Sequence, residues 1–544
     1  MTRQLSKIVL AFSASIFLMG CGATALILTP IENIDTTPLK IADLTDAQKK
    51  NWGHLDLVSD TIPGMSVDKA YREVIKNKKG KKVIVAVLDS GVDLKHEDLD
   101  GVLWTNKGEK AGDGKDNDNN GYIDDIHGYN FLGDSYNEQL EFARILRLNI
   151  GDAAMQAKAK DKLDADYQKA LQNKQQYEQI SQAVKNADAA VKKELGKETY
   201  TKKDLAGIKS KDEAMQQHVG VLMQMLAHAD TIPEVVEELE GGINHFTDQV
   251  NYNLNKDFDG RKMVGDDPYN INDLGYGNGN PQSTEKDESH GTHVAGIIAA
   301  ERNNGKGANG VANNVAIMSI RAVPNGDEYD KDIALGIRYA VDNGAKIINA
   351  SFGKSFSPNA QWVYDAIKYA ATKDVLIVHA AGNSGDNLDD ATNPNFPNDH
   401  MQKNSPEIAN NVITVGALSS KYGSEMVASF SNYGLVNVDV FAPGDDIYSS
   451  MPNNEYDFQG GTSMAAPAVA GLAALIRSYY PKLSAPQVKH IIMKSGLAPR
   501  AKAVLGGDAS NTATLDKISK SGNIANVYNA LIMAESVAAG KIKL

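Results

Sequence analysis

The sequence predicts an α/β fold: a mainly parallel sheet with helices on both faces, plus an inserted α-helical subdomain. Three observations carry this. From residue 290 onward apolar strand-like runs and helix-like runs alternate steadily, which is the pattern of a parallel sheet with crossover helices. Val83-Ile84-Val85-Ala86-Val87-Leu88 is an unbroken apolar, β-branched run, as expected of a strand buried on both faces. Between about 134 and 250 the composition changes to Ala, Lys, Gln, Glu and Asp with few helix breakers, which reads as a separate helical unit.

The N-terminal segment comes first. Arg3 and Lys7 precede a mostly apolar run, Ile8–Gly20, too short for a bilayer-spanning helix and shaped like the hydrophobic region of a secretory signal. It ends in Leu18-Met19-Gly20-Cys21, and Cys21 is the only cysteine of the 544 residues. This segment resembles the bacterial lipobox, in which cleavage precedes a cysteine that then carries lipid. The resemblance implies a signal peptide over 1–20, lipidation at Cys21 and an extracytoplasmic protein tethered to the bacterial cell envelope. An ordinary secretory signal with an incidental cysteine is the plainer alternative. No intramolecular disulfide is available to one cysteine. A formal charge of −13 argues against a nucleic-acid partner.

Residues 21–50 read as a tether, with Thr29-Pro30 and Thr36-Thr37-Pro38 and few bulky groups. Globular composition begins near Asn51-Trp52-Gly53, giving a main domain over 51–133 and 251–544. Val67–Lys76 is a short helix candidate, followed by the basic turn Lys78–Lys82 and the Val83–Leu88 strand. Residues 89–125, rich in Asp, Asn and Gly, read as loop.

In the 134–250 insertion, Leu163, Tyr167 and Leu171 share one helical face, and Tyr177, Ile180, Val184, Val191 and Leu195 another. The register slips between the two groups, and Gly196 is placed to end that helix. Val221–Leu226 lies in a second helical segment, and Pro233 opens a third at a position where a first turn tolerates proline. A packed helical hairpin or small bundle is expected. Downstream, Val315–Ile320, Lys346–Asn349, Val375–Ala380, Val412–Val415 and Val438–Phe441 read as strands. His290–Ala300, Asp330–Asn343, Gln361–Thr372 and Ser463–Tyr479 read as helices, and Val527–Ala539 as a last surface helix.

The chemistry centres on Gly460-Gly461-Thr462-Ser463-Met464-Ala465-Ala466-Pro467, two glycines leading into a helix start. Alone, this is a helix cap with Thr462 or Ser463 as the capping side chain. A serine at a helix N-terminus is also well placed as a nucleophile, because the charge developing on an attacked carbonyl meets unpaired N–H groups. Such a serine needs a base and an acid to orient the base. Asp89 closes the buried strand and needs a partner there. His290 opens His290-Gly291-Thr292-His293-Val294-Ala295-Gly296. A metal-binding reading of His290 and His293 is poor, because Gly291 replaces the glutamate of H-E-x-x-H. Ala381-Gly382-Asn383 follows a strand and offers an amide donor in a glycine-flanked loop.

These four segments, in the order Asp, His, Asn, Ser, resemble the subtilisin-like serine proteases, the subtilases. The resemblance covers roughly 50–133 and 255–540. It implies Ser463 as nucleophile, His290 as general base and acid, Asp89 as orienting acid, and Asn383 with the Ser463 backbone N–H as oxyanion donors. Polypeptide substrates would bind as an added strand on Ser351-Phe352-Gly353, so Ser351 and Gly353 are expected substrate contacts. Lys354 and His379 depart from the small residues usual there and leave the pocket undefined. A second departure is the 201-position gap between Asp89 and His290, which the insertion accounts for; a lid, docking arm or substrate selector is its expected role. Only 68 residues separate Cys21 from Asp89, too few for the propeptide domain many subtilases carry. The same resemblance makes Asp98 and Asn304 calcium ligands.

Independently, Asp116, Asp118 and Asn120 with Gly121 have the alternating oxygen donors of a calcium loop, though His127 replaces its closing glutamate and Asp124 is the substitute. Asn255, Asp257, Asp259 and Asp266 repeat the pattern more weakly; a polar surface loop is the alternative for both. Structural calcium is the expected cofactor. The rival to an envelope-tethered endopeptidase is a catalytically blocked binding or scaffold protein working through the helical insert; an esterase or peptide ligase using the same triad is a third reading. Oligomeric state is not legible.

Overall fold

The computed structural model describes residues 29–32, 40, 42–283, 288–401 and 405–544. The expected signal peptide, Cys21 and most of the tether lie outside these residues. Among the described residues no helix is long and apolar enough to cross a membrane.

The frame is a seven-stranded sheet of β1 (Val83–Asp89), β2 (Gly128–Asn130), β3 (Val315–Arg321), β4 (Ile347–Ala350), β5 (Leu376–Ala380), β6 (Val412–Leu418) and β7 (Val440–Pro443). The spatial order is β2-β3-β1-β4-β5-β6-β7, and every pairing is parallel. The continuous apolar runs follow from burial on both faces. On β1, Val83, Val85 and Val87 enter one core while Ala86 and Leu88 enter the other; on β5, Leu376 and Val378 oppose Ile377 in the same way.

One face is covered by α9 (His290–Ala299), α12 (Thr462–Tyr479), α13 (Ala485–Ser495) and α14 (Val527–Ala538), and the other by α10 (Asp330–Asp342) and α11 (Ala360–Thr372). Sixteen of the eighteen residues of α12 are buried, so this small-residue helix is the central strut of its layer. The expected last surface helix, α14, instead buries Val527, Tyr528, Ala530, Leu531, Ala534 and Val537 against that layer. Its spacing places these on one face, and α3 (Val67–Ala70) is among the elements that cover it. Two shorter helices, α1 (Asp46–Asn51) and α2 (Leu57–Asp60), precede α3. The sequence reading did not place α1, α2 or α13, nor three short or polar strand pieces: β2, the hairpin of β8 (Ile447–Met451) and β9 (Glu455–Gln459), and the pair β10 (Ala503–Leu505) and β11 (Asp508–Ala513).

Between β2 and α9 lie α4 (Glu141–Leu148), α5 (Ala153–Leu195), α6 (Lys202–Ala206), α7 (Glu213–Met225) and α8 (Ile232–Asp248). Gly196 caps α5 in the left-handed conformation, and Thr231 with Glu234 forms a capping box ahead of Pro233. α5 is continuous over 43 residues, about 65 Å of helix, with no break at the register slip. The slip marks a change of partner. Ala159, Leu163 and Ala170 pack with α4 and Leu254, whereas Val184, Ala187 and Val191 pack with Leu205, Leu222, Val235 and Leu239 of α6–α8.

A buried ionic cluster joins the base of this unit to the sheet domain. Lys354 Nζ lies 2.8 Å from Glu141 Oε2 and 2.9 Å from Asp330 Oδ1, and donates to the Glu328 carbonyl at 2.7 Å. Glu141 also pairs with Arg144, whose guanidinium stacks 3.9 Å from the Tyr329 ring centroid. Burial alone would raise the Glu141 carboxyl; Arg144 and Lys354 overcome it and hold it at about 2.

Candidate active site

Asp89 ends β1, in the middle of the sheet, at the carboxyl ends of the strands. It is 1% exposed. His290 is the first residue of α9, and its Nδ1 lies 2.7 Å from Asp89 Oδ1. That oxygen also accepts the Ser90 backbone N–H at 2.8 Å. Gly291 lets the helix start rest on the strand end, since a Cβ there would fall 2.2 Å from the Gly91 carbonyl oxygen. Ser90 and Thr292 complete the seam: Ser90 Oγ accepts the Gly291 N–H, and Thr292 Oγ1 accepts the Asp93 N–H.

With a carboxylate on Nδ1, that nitrogen carries the proton and Nε2 is left as the basic site. Burial alone would depress the imidazole; the Asp89 charge and hydrogen bond outweigh it and raise the group above its ordinary value. The imidazole is 36% exposed, while its acid is 1% exposed.

His293, one turn on, is a core residue. Its Nε2 faces the Asp457 carbonyl at 3.2 Å, and burial drives its titration down to about 4.

Ser463 is the second residue of α12. Its hydroxyl donates to the Ser351 carbonyl at 3.1 Å, and Ser351 Oγ donates back to the Ser463 carbonyl at 2.9 Å. Asn383 stands against the same turn. Its Oδ1 accepts both the Thr462 N–H at 2.9 Å and the Thr462 hydroxyl at 2.8 Å. Thr462 Oγ1 in turn accepts the Gly382 N–H at 2.9 Å. These bonds fix which end of the amide is which and leave the Asn383 Nδ2 donors without a partner among the described residues. A Cβ at Gly461 would sit 3.2 Å from Nδ2, so the glycine keeps that end clear. The arrangement is a serine hydroxyl and an imidazole on two helix starts, with a fixed amide donor and the first-turn N–H groups of α12 beside them.

Beside Asn383 opens a cleft of about 750 Å³. Gly353, Phe356, Asn395 and Phe396 line one side, and Met155 and Lys158 from the first turns of α5 line another. Lys354 contributes backbone to this wall, pairing with Phe396 through N–H···O bonds of 3.0 and 2.9 Å, while its ammonium runs away into the ionic cluster. His379 lies under the edge instead of in the cleft: its Nε2–H donates to the Phe352 carbonyl at 2.9 Å, and burial depresses its titration to about 4, keeping it neutral.

The metal candidates separate. Asp118 shares a site with Glu109 and Asp125, their ligand oxygens all within 4.8 Å of one another, and Glu109 Oε2 is buried with no partner. Asp116 and Asn120 act differently from the expectation. Asp116 caps the Asn120 and Gly121 N–H groups, and Asn120 donates to Asp118 and Asp125. Asp124, the expected substitute ligand, binds the Asp113 and Gly114 N–H groups. Asp98 and Asn304 do meet, but through a 2.6 Å hydrogen bond from the amide NH₂, so this Asn304 orientation offers a donor to the acid and no oxygen to a cation. The second loop is corrected outright. Asp266 is consumed by Arg261 at 2.6 Å and Lys331 at 2.6 Å, and Asp259 pairs with Arg147 at 3.1 Å. Asp399, His400 and Glu407 also converge, with Lys489 at 3.8 Å from Asp399 and 3.1 Å from Glu407 supplying the positive charge.

Sequence reasoning named Thr462 only as a cap and passed over Glu109 and Asp125. The Thr462 hydroxyl, one residue before the serine, is able to reach across the turn. Glu109 had no signal, because its role depends on a loop closure eight residues and more downstream.

Comparison with known proteins adds an independent line. Residues 80–519 match the Subtilase family (peptidase S8). The chain is 44% identical over 191 residues to the thermophilic serine proteinase of Bacillus sp. (strain AK1), covering 35% of this chain and 43% of that protein. It is 38% identical over 200 residues to thermitase of Thermoactinomyces vulgaris (37% and 64%). It is 37% identical over 223 residues to the cell wall-associated protease of Bacillus subtilis (strain 168) (41% and 23%). The matched segments span less than two thirds of each of these relatives.

Proposed function

The chain belongs to the subtilase family, and from that premise we propose that it is a serine endopeptidase acting through an acyl-enzyme on Ser463. The observation that carries the proposal is the 2.7 Å contact of His290 with Asp89 at the same strand ends that hold Ser463 and the fixed Asn383 amide. The mechanism requires the Ser463 hydroxyl to leave the Ser351 carbonyl and meet His290 Nε2. Nε2 takes the hydroxyl proton as Oγ bonds to the scissile carbonyl carbon, and Asp89 stabilises the imidazolium. The oxyanion sits on Asn383 Nδ2–H and the Ser463 N–H. The imidazolium then gives its proton to the leaving amine as the C–N bond breaks. Water, deprotonated by the same nitrogen, hydrolyses the ester and restores Ser463. An extended polypeptide pairs with the Ser351–Gly353 edge.

The AK1 relative is named a serine proteinase and the Bacillus subtilis relative a protease, which supports the reading. The cell wall-associated name of the Bacillus subtilis relative fits an extracytoplasmic setting. The envelope tether rests on the Leu18-Met19-Gly20-Cys21 segment, with lipid on Cys21. The 134–250 unit is proposed as an insertion whose α5 forms part of the cleft wall. Calcium is proposed at Glu109, Asp118 and Asp125, where the orphaned Glu109 Oε2 suits a cation and where the ion would tie the loop after β1 in place. The decisive experiment is labelling with a fluorophosphonate probe. Wild type should react and Ser463→Ala should not; an inert wild type, under conditions where thermitase is labelled, overturns the enzyme reading.

A further inference from the structure

The end of the molecule opposite the cleft carries a concentrated positive charge that the proposed chemistry does not use. The catalytic groups stand at the carboxyl ends of the strands. At the amino ends, the turn before β1 places Lys76, Lys78, Lys79, Lys81 and Lys82 in solvent. Two contacts hold this turn to the ends of two helices, and a third continues the basic surface past α14. The Lys81 N–H donates to the Ser478 carbonyl at 2.9 Å, at the end of α12 just before the exposed Lys482. Lys78 Nζ lies 3.8 Å from Glu535 on α14. Lys541 donates its N–H to Ser536 at 2.9 Å, so the exposed Lys541 and Lys543 continue from the same end of α14.

Of these eight lysines only Lys78 has an acidic partner within 4.0 Å among the described residues, and the nearby Asp374 is engaged by Arg477 at 2.7 Å. Two apolar side chains, Ile542 and Leu544, sit exposed among them at 39% and 44%. Such a patch stands out on a chain of formal charge −13.

We propose that this end is a docking surface for the anionic phospholipid headgroups of the membrane that anchors the chain. The inference rests on the tether reading for its setting. Chain length supports it. The tether reaches the body at Ile31, whose N–H donates to Asn529 Oδ1 at 2.8 Å and whose carbonyl accepts from Asn529 Nδ2 at 3.2 Å. Ten residues from Cys21 to Ile31 extend to at most about 35 Å. Asn529 to Lys541 is about 18 Å along α14, so an anchored body can set its basic end on the bilayer. β1 runs from that end to Asp89, about 23 Å away. A docked enzyme therefore holds its cleft away from the lipid and open to substrates in the surrounding compartment. Clusters of four to eight lysines are the usual composition of anionic-lipid surfaces, each lysine contributing additively.

The test uses the full lipid-modified chain on vesicles of phosphatidylcholine alone or with phosphatidylglycerol. Binding is read by flotation and lysine exposure by amine acylation. Phosphatidylglycerol should strengthen binding and protect Lys76–Lys82 and Lys541 from acylation, and high salt should reverse both. The K79Q/K81Q/K82Q variant should lose on the order of a hundredfold of its preference for anionic vesicles. It should keep its binding to neutral vesicles and its fluorophosphonate labelling. A wild type indifferent to phosphatidylglycerol, a preference that the variant retains, or protection at Lys158 and Lys162 instead would overturn the proposal. Loss of binding to neutral vesicles marks failure of the Cys21 anchor separately, and the anionic arm still decides the patch.

Discussion

Thr462 holds Asn383 by two hydrogen bonds to one oxygen, so it sets the aim of the amide proposed as oxyanion donor. Thr462→Val keeps the shape and the backbone N–H bond but removes the hydroxyl bond and strands the Gly382 N–H. It should lower kcat about tenfold with KM little changed, because the interaction is realised only in the transition state. Asn383→Ala should cost about 10²–10³ in kcat, a figure borrowed from removal of the corresponding donor in subtilisin. Steady-state kinetics on one peptide substrate check both. A rise in KM with unchanged kcat would place Thr462 in ground-state binding instead.

Activity should fall on the acid side as His290 takes a proton it needs to accept from Ser463. Asp89 raises that titration, so the acid limb of kcat/KM should lie above the ordinary imidazole value, and Asp89→Asn should move it down. The same substitution should cost on the order of 10⁴ in kcat by losing the tautomer. The linked stability has the opposite sense: the pairing contributes fully below the ordinary imidazole value and is lost as pH rises through the raised one. An acid limb that stays put in Asp89→Asn would show that a different group controls it.

Strand positions were legible in the sequence for a physical reason, and so was the grouping of the candidate residues at one turn. Buried parallel strands must be apolar throughout, and groups that meet at one turn, such as Gly461-Thr462-Ser463, keep their spacing along the chain. What was not legible depends on chain-distant closure. Lys354 read as an intruder in the substrate pocket because its position was known and its direction was not. Its carbon stem lets the ammonium leave the wall and meet Glu141, 213 residues away in the chain. Asp266 read as a calcium ligand for the same reason: local spacing supplies oxygens but does not reveal that Arg261 and Lys331 have claimed them.

Lys354→Met should unfold the joint between the helical unit and the sheet domain. It removes one cation from a fully buried cluster and leaves Asp330 and Glu141 short of positive charge. Breaking such a pair costs about 3–5 kcal/mol, read as a lower melting temperature. The double variant Glu141→Gln/Lys354→Met should cost less than the sum of its parts. Glu141, held at about 2 in the fold, contributes stability above the ordinary carboxylate value that is lost as pH falls from there toward 2. Wild type should therefore lose more stability than the double variant in acid. Equal acid sensitivity would remove the cluster from the account.

Calcium removal should lower the melting temperature before it lowers the rate constant. The proposed ion would sit on Glu109, Asp118 and Asp125, in the loop that follows β1 and apart from the residues proposed for the chemistry. Differential scanning calorimetry with a chelator should show a downward shift in wild type and almost none in Glu109→Gln. Asp116→Asn should leave the calcium dependence intact, since that carboxylate caps backbone N–H groups. A chelator without effect on wild type would leave the cluster as a hydrogen-bonded loop.

The start of α5 should decide which side chains the cleft accepts. Met155 and Lys158 line the same cleft as Gly353, Asn395 and Asn383, the residue proposed beside the scissile bond. Lys162, one turn further, is neutralised by Asp166 at 3.0 Å, whereas Lys158 faces the opening without such a partner within 4.0 Å among the described residues. Asp386 is the carboxylate on the wall, in the loop after Asn383. Replacing Lys158 with glutamate should therefore turn the preference away from acidic and toward basic side chains, by roughly five- to tenfold in kcat/KM at a partly exposed site. Met155→Ala should widen the range of bulky residues accepted. Fluorophosphonate labelling should stay unchanged in both, because neither residue belongs to the Ser463–His290–Asp89 set. A peptide library cleaved by wild type and Lys158→Glu with the same profile would show that α5 stands beside the cleft without selecting what enters it.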